Sequence, residues 1–210
     1  MAIGEREVET LFRDAGAYLE GHFELSSGKH SDRYLEKFAV LQWPRQTERL
    51  CAAIAERVRD LDVATVAGPT TGGIILAHEV ARQLGVRAVY AERDESGRGR
   101  TFRRGFQLAP DERVLVVDDI LSTGGSVHET IDAVRAAGAT VVAAAVLVDR
   151  SAGPGGSTRS PGGGSTSSDL GVPLVALWRT SIPAYDPDDC PQCAAGVPIR
   201  KPGTTPAGVK

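Results

Sequence analysis

Five short, almost continuously apolar runs punctuate this chain, at residues 63–67, 86–91, 113–117, 141–148 and 173–178. The first four are joined through helix-length stretches or a loop, and two of those stretches stop at Gly85 and Gly138, the residue type that favours a helix C-terminal cap. Strands that are apolar on both sides, alternating with helices, have one economical arrangement: a parallel sheet covered on both faces. The sequence therefore predicts an α/β fold with a central, mostly parallel sheet, helices at about 73–84 and 127–137, and the whole chain as one domain. Ahead of the sheet, Val8, Leu11, Phe12, Ala15 and Leu19 recur at helical spacing and predict a helix over 5–20. Residues 23–44 read as loops and short strands able to fold over a site as a small hood, and a second helix is expected at about 46–61.

Composition narrows the partners. With 210 residues, 41% hydrophobic and 24% charged, the chain can build a sizeable core, and a disordered reading fails. A net charge of −3 argues against a broad nucleic-acid-binding face. No apolar run has the length of a membrane span, and the N-terminal residues lack a signal-peptide core, so a cytoplasmic location is expected. Three cysteines are an odd count and do not suggest a disulfide framework. Residues 151–168 are low complexity and predict a flexible insertion.

The third apolar run leads into the most informative stretch. Val116 and Val117 are followed by Asp118, Asp119, Ile120, Leu121, Ser122, Thr123, Gly124, Gly125 and Ser126. Open α/β sheets place their ligands at the C-terminal ends of strands, which is where these residues fall. Ser126 and Glu129 have the spacing of a capping box, which starts the next helix at Ser126. A glycine-rich loop at a helix N-terminus favours a phosphate through free N–H groups and the helix dipole. Ser122, Thr123 and Ser126 add hydroxyl donors. Two carboxylates would repel that phosphate, so they call for sugar hydroxyls, with or without magnesium nearby. The run is neither a P-loop, since no Gly-Lys-Ser/Thr follows, nor a dinucleotide fingerprint.

The run resembles the PRPP-binding signature of type I phosphoribosyltransferases, a match that implies their fold. The resemblance implies that Asp118 and Asp119 hold the ribose hydroxyls and that Ser122 to Ser126 cradle the 5-phosphate. Thr71 and Gly72, in the turn Gly68-Pro69-Thr70-Thr71-Gly72-Gly73, would meet the pyrophosphate, helped by Arg93. The stretch from Phe23 to Tyr34 resembles the N-terminal motif of orotate phosphoribosyltransferases, and Asp149-Arg150 their Asp-Arg pair. That likeness implies an orotate pocket formed by Ser27, Tyr34, Ser122 and Arg150, the arginine being a suitable bidentate donor for a carboxylate. Where the family's mobile loop usually carries lysines, this chain has Arg93, Arg98, Arg100, Arg103 and Arg104. Arg103 and Arg104 are its catalytic candidates, as clamps for pyrophosphate, since arginine does not readily donate a proton at neutral pH. The family also implies Mg2+, carried mainly by PRPP, and a homodimer in which one subunit's loop serves its partner.

Two other functions fit the same residues less well. Transfer to a different base conflicts with Arg150 and the motif at 27–34, and a PRPP-sensing regulator would need a basic face or an added nucleic-acid-binding domain. Cys190-Pro191-Gln192-Cys193, with Lys201-Pro202-Gly203, looks like the tail of one bacterial subgroup. The two cysteines have metal-ligand spacing, but zinc usually takes four ligands and the sequence holds no second pair, so free thiols are expected. His30 lies inside the orotate-like motif and is a candidate substrate contact, while His128 reads as a solvent-facing helix residue. Trp43 and Trp178 read as core or interface residues.

Overall fold

The computed structural model describes residues 3–25, 27–95, 97, 99–151 and 170–202. The expected flexible insertion lies almost entirely outside them, as do Ser26 and Arg98. Six strands form the main sheet: β3 (Thr65–Pro69), β4 (Arg87–Arg93), β5 (Arg100–Phe102), β6 (Arg113–Leu121), β7 (Thr140–Asp149) and β8 (Leu174–Arg179). Their order is β5-β4-β3-β6-β7-β8, parallel throughout except for the short edge strand β5. The stretch 94–107, whose polar, basic and glycine-dotted sequence reads as a flexible loop or hairpin, is partly a hairpin onto β4.

Strand periodicity divides the core into two layers. Val66, Leu115, Val117, Ala145 and Leu147 point into one cluster with Leu50, Ile54, Leu76 and Val80. Those partners belong to α3 (Pro44–Arg57) and α4 (Gly72–Leu84). Ala67, Val114, Val116, Ala144 and Val146 point the other way, onto Val127, Ile131 and Val134 of α5 (Gly125–Ala136). Both faces are covered, which is why these strands carry few polar residues.

The N-terminal helix is shorter than its periodicity suggested. α1 (Glu5–Asp14) stops where Gly16 takes φ +67°, and the Ala17 N–H closes onto the Phe12 carbonyl. Leu19 lies on β1 (Tyr18–Glu24), which pairs antiparallel with β2 (His30–Leu35) as a separate two-stranded sheet, and α2 (Lys37–Leu41) follows. Tyr18 packs on Trp178, with ring centroids 6.0 Å apart. The helix expected to reach Leu61 ends at Arg57, and a 3-10 turn at Arg59–Leu61 completes it. Trp178 is core, whereas Trp43 is 56% exposed.

The segment after β8 returns to the hairpin. The His30 N–H donates to Tyr185 O and the Tyr185 N–H to His30 O, both at 2.8 Å. The Arg200 N–H donates to His22 O at 2.8 Å, and the Glu24 N–H to Arg200 O at 2.9 Å. A short helix, α6 (Pro191–Ala194), lies between these two contacts. No helix among the described residues is long and apolar enough to cross a membrane.

Candidate active site

β3 and β6 are neighbours, yet the connection through α4 runs outward to β4 on one side and that through α5 to β7 on the other. The strand order therefore reverses its direction of winding between β3 and β6, and a crevice opens there at the C-terminal edge, flanked by the starts of α4 and α5. Two helix N-termini with unpaired N–H groups meet at one edge, a setting that favours anions.

The acidic pair belongs to the strand itself. β6 continues through Leu121, with Asp118 opposite Val146 and Leu121 opposite Asp149, so the loop proper begins at Ser122. The period of two then sends the adjacent carboxylates to opposite faces. Asp118 points to the α5 side, where the Ser126 hydroxyl donates to its Oδ2 at 2.5 Å and the Asp119 N–H donates to Oδ1 at 2.9 Å. Asp119 points to the α2 side, where Lys37 Nζ donates to Oδ1 at 3.0 Å and stands 3.0 Å from Oδ2. Asp118 and Asp119 are 5% and 3% exposed.

These contacts correct the capping box. Gly124, at φ +78°, is the N-cap of α5, which starts at Gly125, and Ser126 lies inside the helix. Its hydroxyl is committed to Asp118 rather than to a backbone N–H. Glu129 does not reach back to the cap; its Oε2 stands 3.2 Å from Arg100 Nε. The signature S-x-x-E was real as spacing, but a buried carboxylate out-competes a helix cap for the hydroxyl. Ser122 and Thr123 remain exposed in the loop, free to donate to a ligand.

Electrostatics follow from burial. Removal from water pushes the Asp118 carboxyl up to about 6, the Asp119 charge adds to this, and the bond from Ser126 opposes it. Asp119 is also raised, by burial first, with Lys37 working against the shift. Burial acts against the Lys37 ammonium, but Asp119 more than offsets it, leaving the lysine above its ordinary value. Lys37 was not singled out in the sequence. Its signal was positional: the first basic residue beyond the orotate-like motif, at the start of a helix, with two carboxylates to satisfy elsewhere in the chain.

The turn 68–73 packs against this pair. A Cβ on Gly72 would stand 2.0 Å from Asp119 Oδ2, and one on Gly68 would stand 2.1 Å from Gly73 O. Gly72 thus lets α4 begin directly against the acidic strand, and Thr71 is its exposed N-cap. The loop arginines sort themselves. Arg100 is buried, donating to Thr70 Oγ1 at 3.1 Å and Ala91 O at 3.2 Å, and burial lowers its pKa despite Glu129. Arg93 donates to Gly97 O at 3.2 Å. Arg104 is forked onto Glu92 at 2.9 and 3.0 Å, and Arg103 stands 3.7 Å from Glu95. Arg100, rather than Arg103 or Arg104, touches the turn at 68–73 within this chain.

Arg150 sits at the same edge, its N–H donating to Leu121 O at 2.9 Å. A pairing with its neighbour does not form: Asp149 is buried and accepts from Ser151 N–H and Oγ, at 2.9 and 2.6 Å. Among the described residues no carboxylate pairs with the Arg150 guanidinium, and burial depresses its pKa, with Tyr34 partly offsetting this. Tyr34, on β2, is held above the ordinary phenol value by burial and by Glu36, while Lys37 and Arg150 pull it down. Tyr34, Lys37, Asp119 and Arg150 therefore share one electrostatic neighbourhood. Ser27 lies in the exposed turn joining β1 to β2, accepting a long 3.5 Å bond from the Lys29 N–H. No described contact brings Ser27 to the acidic pair. His30 faces His22 rather than this crevice.

The sequence and the fold match known proteins. Residues 39–160 match the model of the Phosphoribosyl transferase domain. The chain is 46% identical over 198 residues to an orotate phosphoribosyltransferase of Pelotomaculum thermopropionicum, covering 94% of this chain and 96% of that protein. It is 48% identical over 201 residues to an orotate phosphoribosyltransferase of Maricaulis maris, covering 94% and 96%. The crystal structure of orotate phosphoribosyltransferase from Aeropyrum pernix superposes with a TM-score of 0.61 at 28% identity, over 82% of this chain and 92% of that one. With a buried acidic pair at the switch point of a parallel sheet, and relatives of this similarity over nearly its full length, the chain belongs to the orotate phosphoribosyltransferase family.

Proposed function

We propose that the chain transfers the 5-phosphoribosyl group of PRPP to orotate, giving orotidine 5-monophosphate and pyrophosphate on the route to UMP. Arg150 carries this reading: a half-buried guanidinium without a carboxylate partner among the described residues, at the edge where the acidic strand ends. A buried cation is costly unless paired, and the orotate carboxylate is the partner of matching shape. In this reading Tyr34 and Ser122 complete the orotate pocket, and Ser27 belongs to it only if the exposed hairpin turn moves toward the substrate. The N–H groups at 122–126 bind the 5-phosphate, and Asp118 and Asp119 take the 2- and 3-hydroxyls. Lys37 holds the Asp119 charge until the sugar arrives.

The reacting carbon gains oxocarbenium character as the bond to pyrophosphate lengthens, and negative charge accumulates on the leaving group. Thr71 and Gly72 meet that charge at the start of α4, with Arg100 behind Thr70 and Arg93, Arg103 and Arg104 available from the loop. The donor set suits Mg2+ arriving with the substrate: hard carboxylate oxygens, already engaged by Ser126, Lys37 and backbone N–H groups, leave most of its coordination to PRPP and water. Bound there, the ion would neutralise pyrophosphate charge beside Asp119. The enzyme acts as a homodimer in the cytoplasm, as a single transferase unit.

The test mixes protein, orotate, PRPP and Mg2+ and follows the loss of orotate absorbance. Turnover on orotate is expected; turnover on hypoxanthine, guanine or uracil instead would sink the assignment. Arg150→Ala should weaken orotate binding at least about 100-fold, about 3 kcal/mol, and PRPP binding far less. Equal losses would remove Arg150 from the base pocket.

A further inference from the structure

Far apart in sequence, His22, His30, Cys190 and Cys193 bring four ligand atoms within 4.8 Å of one another. His22 Nε2 stands 3.1 Å from His30 Nδ1, 3.5 Å from Cys190 Sγ and 3.7 Å from Cys193 Sγ, and Cys193 Sγ is 3.2 Å from His30 Nδ1. A tetrahedron with metal–nitrogen bonds of about 2.0 Å and metal–sulfur bonds of about 2.3 Å has N···N and N···S edges of about 3.3 and 3.6 Å. Four of the six edges lie within a few tenths of an ångström of those values, and the other two are no longer than 4.8 Å. Hydrogen bonding alone explains the cluster poorly, because thiols and imidazoles are weak mutual partners and His22 and Cys190 are 2% and 3% exposed.

The surroundings are also those of a ligand set. His22 Nδ1 lies 2.7 Å from Val197 O, which can only accept, so the proton sits on Nδ1 and the Nε2 lone pair faces His30 and the two sulfurs. Cys190 and Cys193 flank the first turn of α6, where Ala194 N–H donates to Cys190 O at 3.1 Å and Val197 N–H to Gln192 O at 3.0 Å. His22 and His30 come from the two strands of the hairpin, with Glu24 opposite His30. Three segments thus converge, two supplying imidazoles and one a C-x-x-C turn.

We propose that His22, His30, Cys190 and Cys193 bind one zinc ion as a closed structural site that clips the C-terminal segment onto the β1–β2 hairpin. Two thiolates and two neutral imidazoles are the donors zinc selects, and the two thiol protons released to solvent leave the site electrically neutral. Four protein ligands leave no open position, so the ion holds structure rather than performing chemistry. The site lies on the hairpin that carries Tyr34, and is separate from the acidic crevice. Its occupancy does not depend on which base the enzyme uses.

The full chain is produced in zinc-supplemented medium, purified without chelator, and its metal content measured by mass spectrometry. About one zinc per chain is expected. Cys193→Ser and His30→Ala should each bring this below about a tenth, while Cys51→Ala, in the core, and His78→Ala, on the surface, keep it. Chelator treatment followed by Co2+ should give visible d–d bands of tetrahedral cobalt and a thiolate-to-cobalt charge-transfer band, which needs no folded variant. Metal-free protein from that medium, a colourless cobalt form, zinc retained in both ligand variants, or a Cys190–Cys193 disulfide in protein kept under reductant would each overturn the proposal.

Discussion

Asp118 shows how a single residue trades stability for function. Its carboxyl titrates near 6 in the folded chain against 3.8 for an ordinary aspartate. The folded state therefore holds a proton that the unfolded chain has released, and stability falls as pH rises from about 4 to about 6, staying lower above that. Asp118→Asn removes the buried charge while leaving an oxygen for the Asp119 N–H and a polar group for Ser126. The variant is expected to be more stable than the parent at pH 7.5, by about 1–3 kcal/mol, to be no more stable at pH 4, and to lose turnover. Thermal melts at the two pH values check this; equal destabilisation at both would mean that the charge is not the strained feature. The acidic pair was legible in the sequence because two adjacent aspartates after a buried run have few other uses. Their separation onto opposite faces, and the Ser126 and Lys37 partners, became visible only with the strand's true end at Leu121.

At the scale of elements, the crevice depends on how closely α4 approaches β6. That approach rests on the turn 68–73, where Gly72 lies against Asp119 and Gly68 against Gly73. Gly72→Ala must displace either the helix start or the carboxylate. It is expected to cut kcat/KM at least about tenfold, about 1.4 kcal/mol, with a stability loss of about 1–3 kcal/mol. Steady-state kinetics with a parallel melt distinguish the two effects, and a variant with parental kcat/KM would show that the contact is not needed. Strands β3, β4, β6, β7 and β8 could be read from apolar runs, since burial on both faces leaves a continuous signal. The hairpin could not. Leu19 continues the helical spacing of Val8, Leu11, Phe12 and Ala15 by coincidence, and only Gly16 at positive φ ends the helix. The edge strand β5 was legible only as one of two alternatives, loop or hairpin, because Arg100, Thr101 and Phe102 are polar by composition and become a strand only by pairing with β4.

For the whole molecule, the distribution of loop arginines matters. Arg100 serves its own chain, whereas Arg103 is half-exposed and only loosely paired. A homodimer in which Arg103 serves the neighbouring crevice predicts complementation. Arg103→Ala and the double variant Asp118→Asn, Asp119→Asn should each be nearly inactive alone and recover turnover when mixed and allowed to exchange subunits. Mixtures no more active than their components would place Arg103 outside the partner's site. Sheet and crevice could be anticipated because each follows from contiguous sequence. The meeting of His22 with Cys190 and Cys193 could not, since spacings of 168 and 171 residues leave no local pattern.

The return of the C-terminal segment to the hairpin also sets an order in time. Residues 185–200 complete the backbone pairing of His22, Glu24 and His30, yet they leave the ribosome after all six strands of the sheet. Domains fold as they are synthesised, and contacts this distant in sequence close last. A nascent chain can therefore assemble its sheet and acidic crevice while the hairpin above still lacks its outer partner. Synthesis halted just after β8 would leave a sheet with an unlatched cover, a species for chaperones or proteases to sort before it ever meets a substrate.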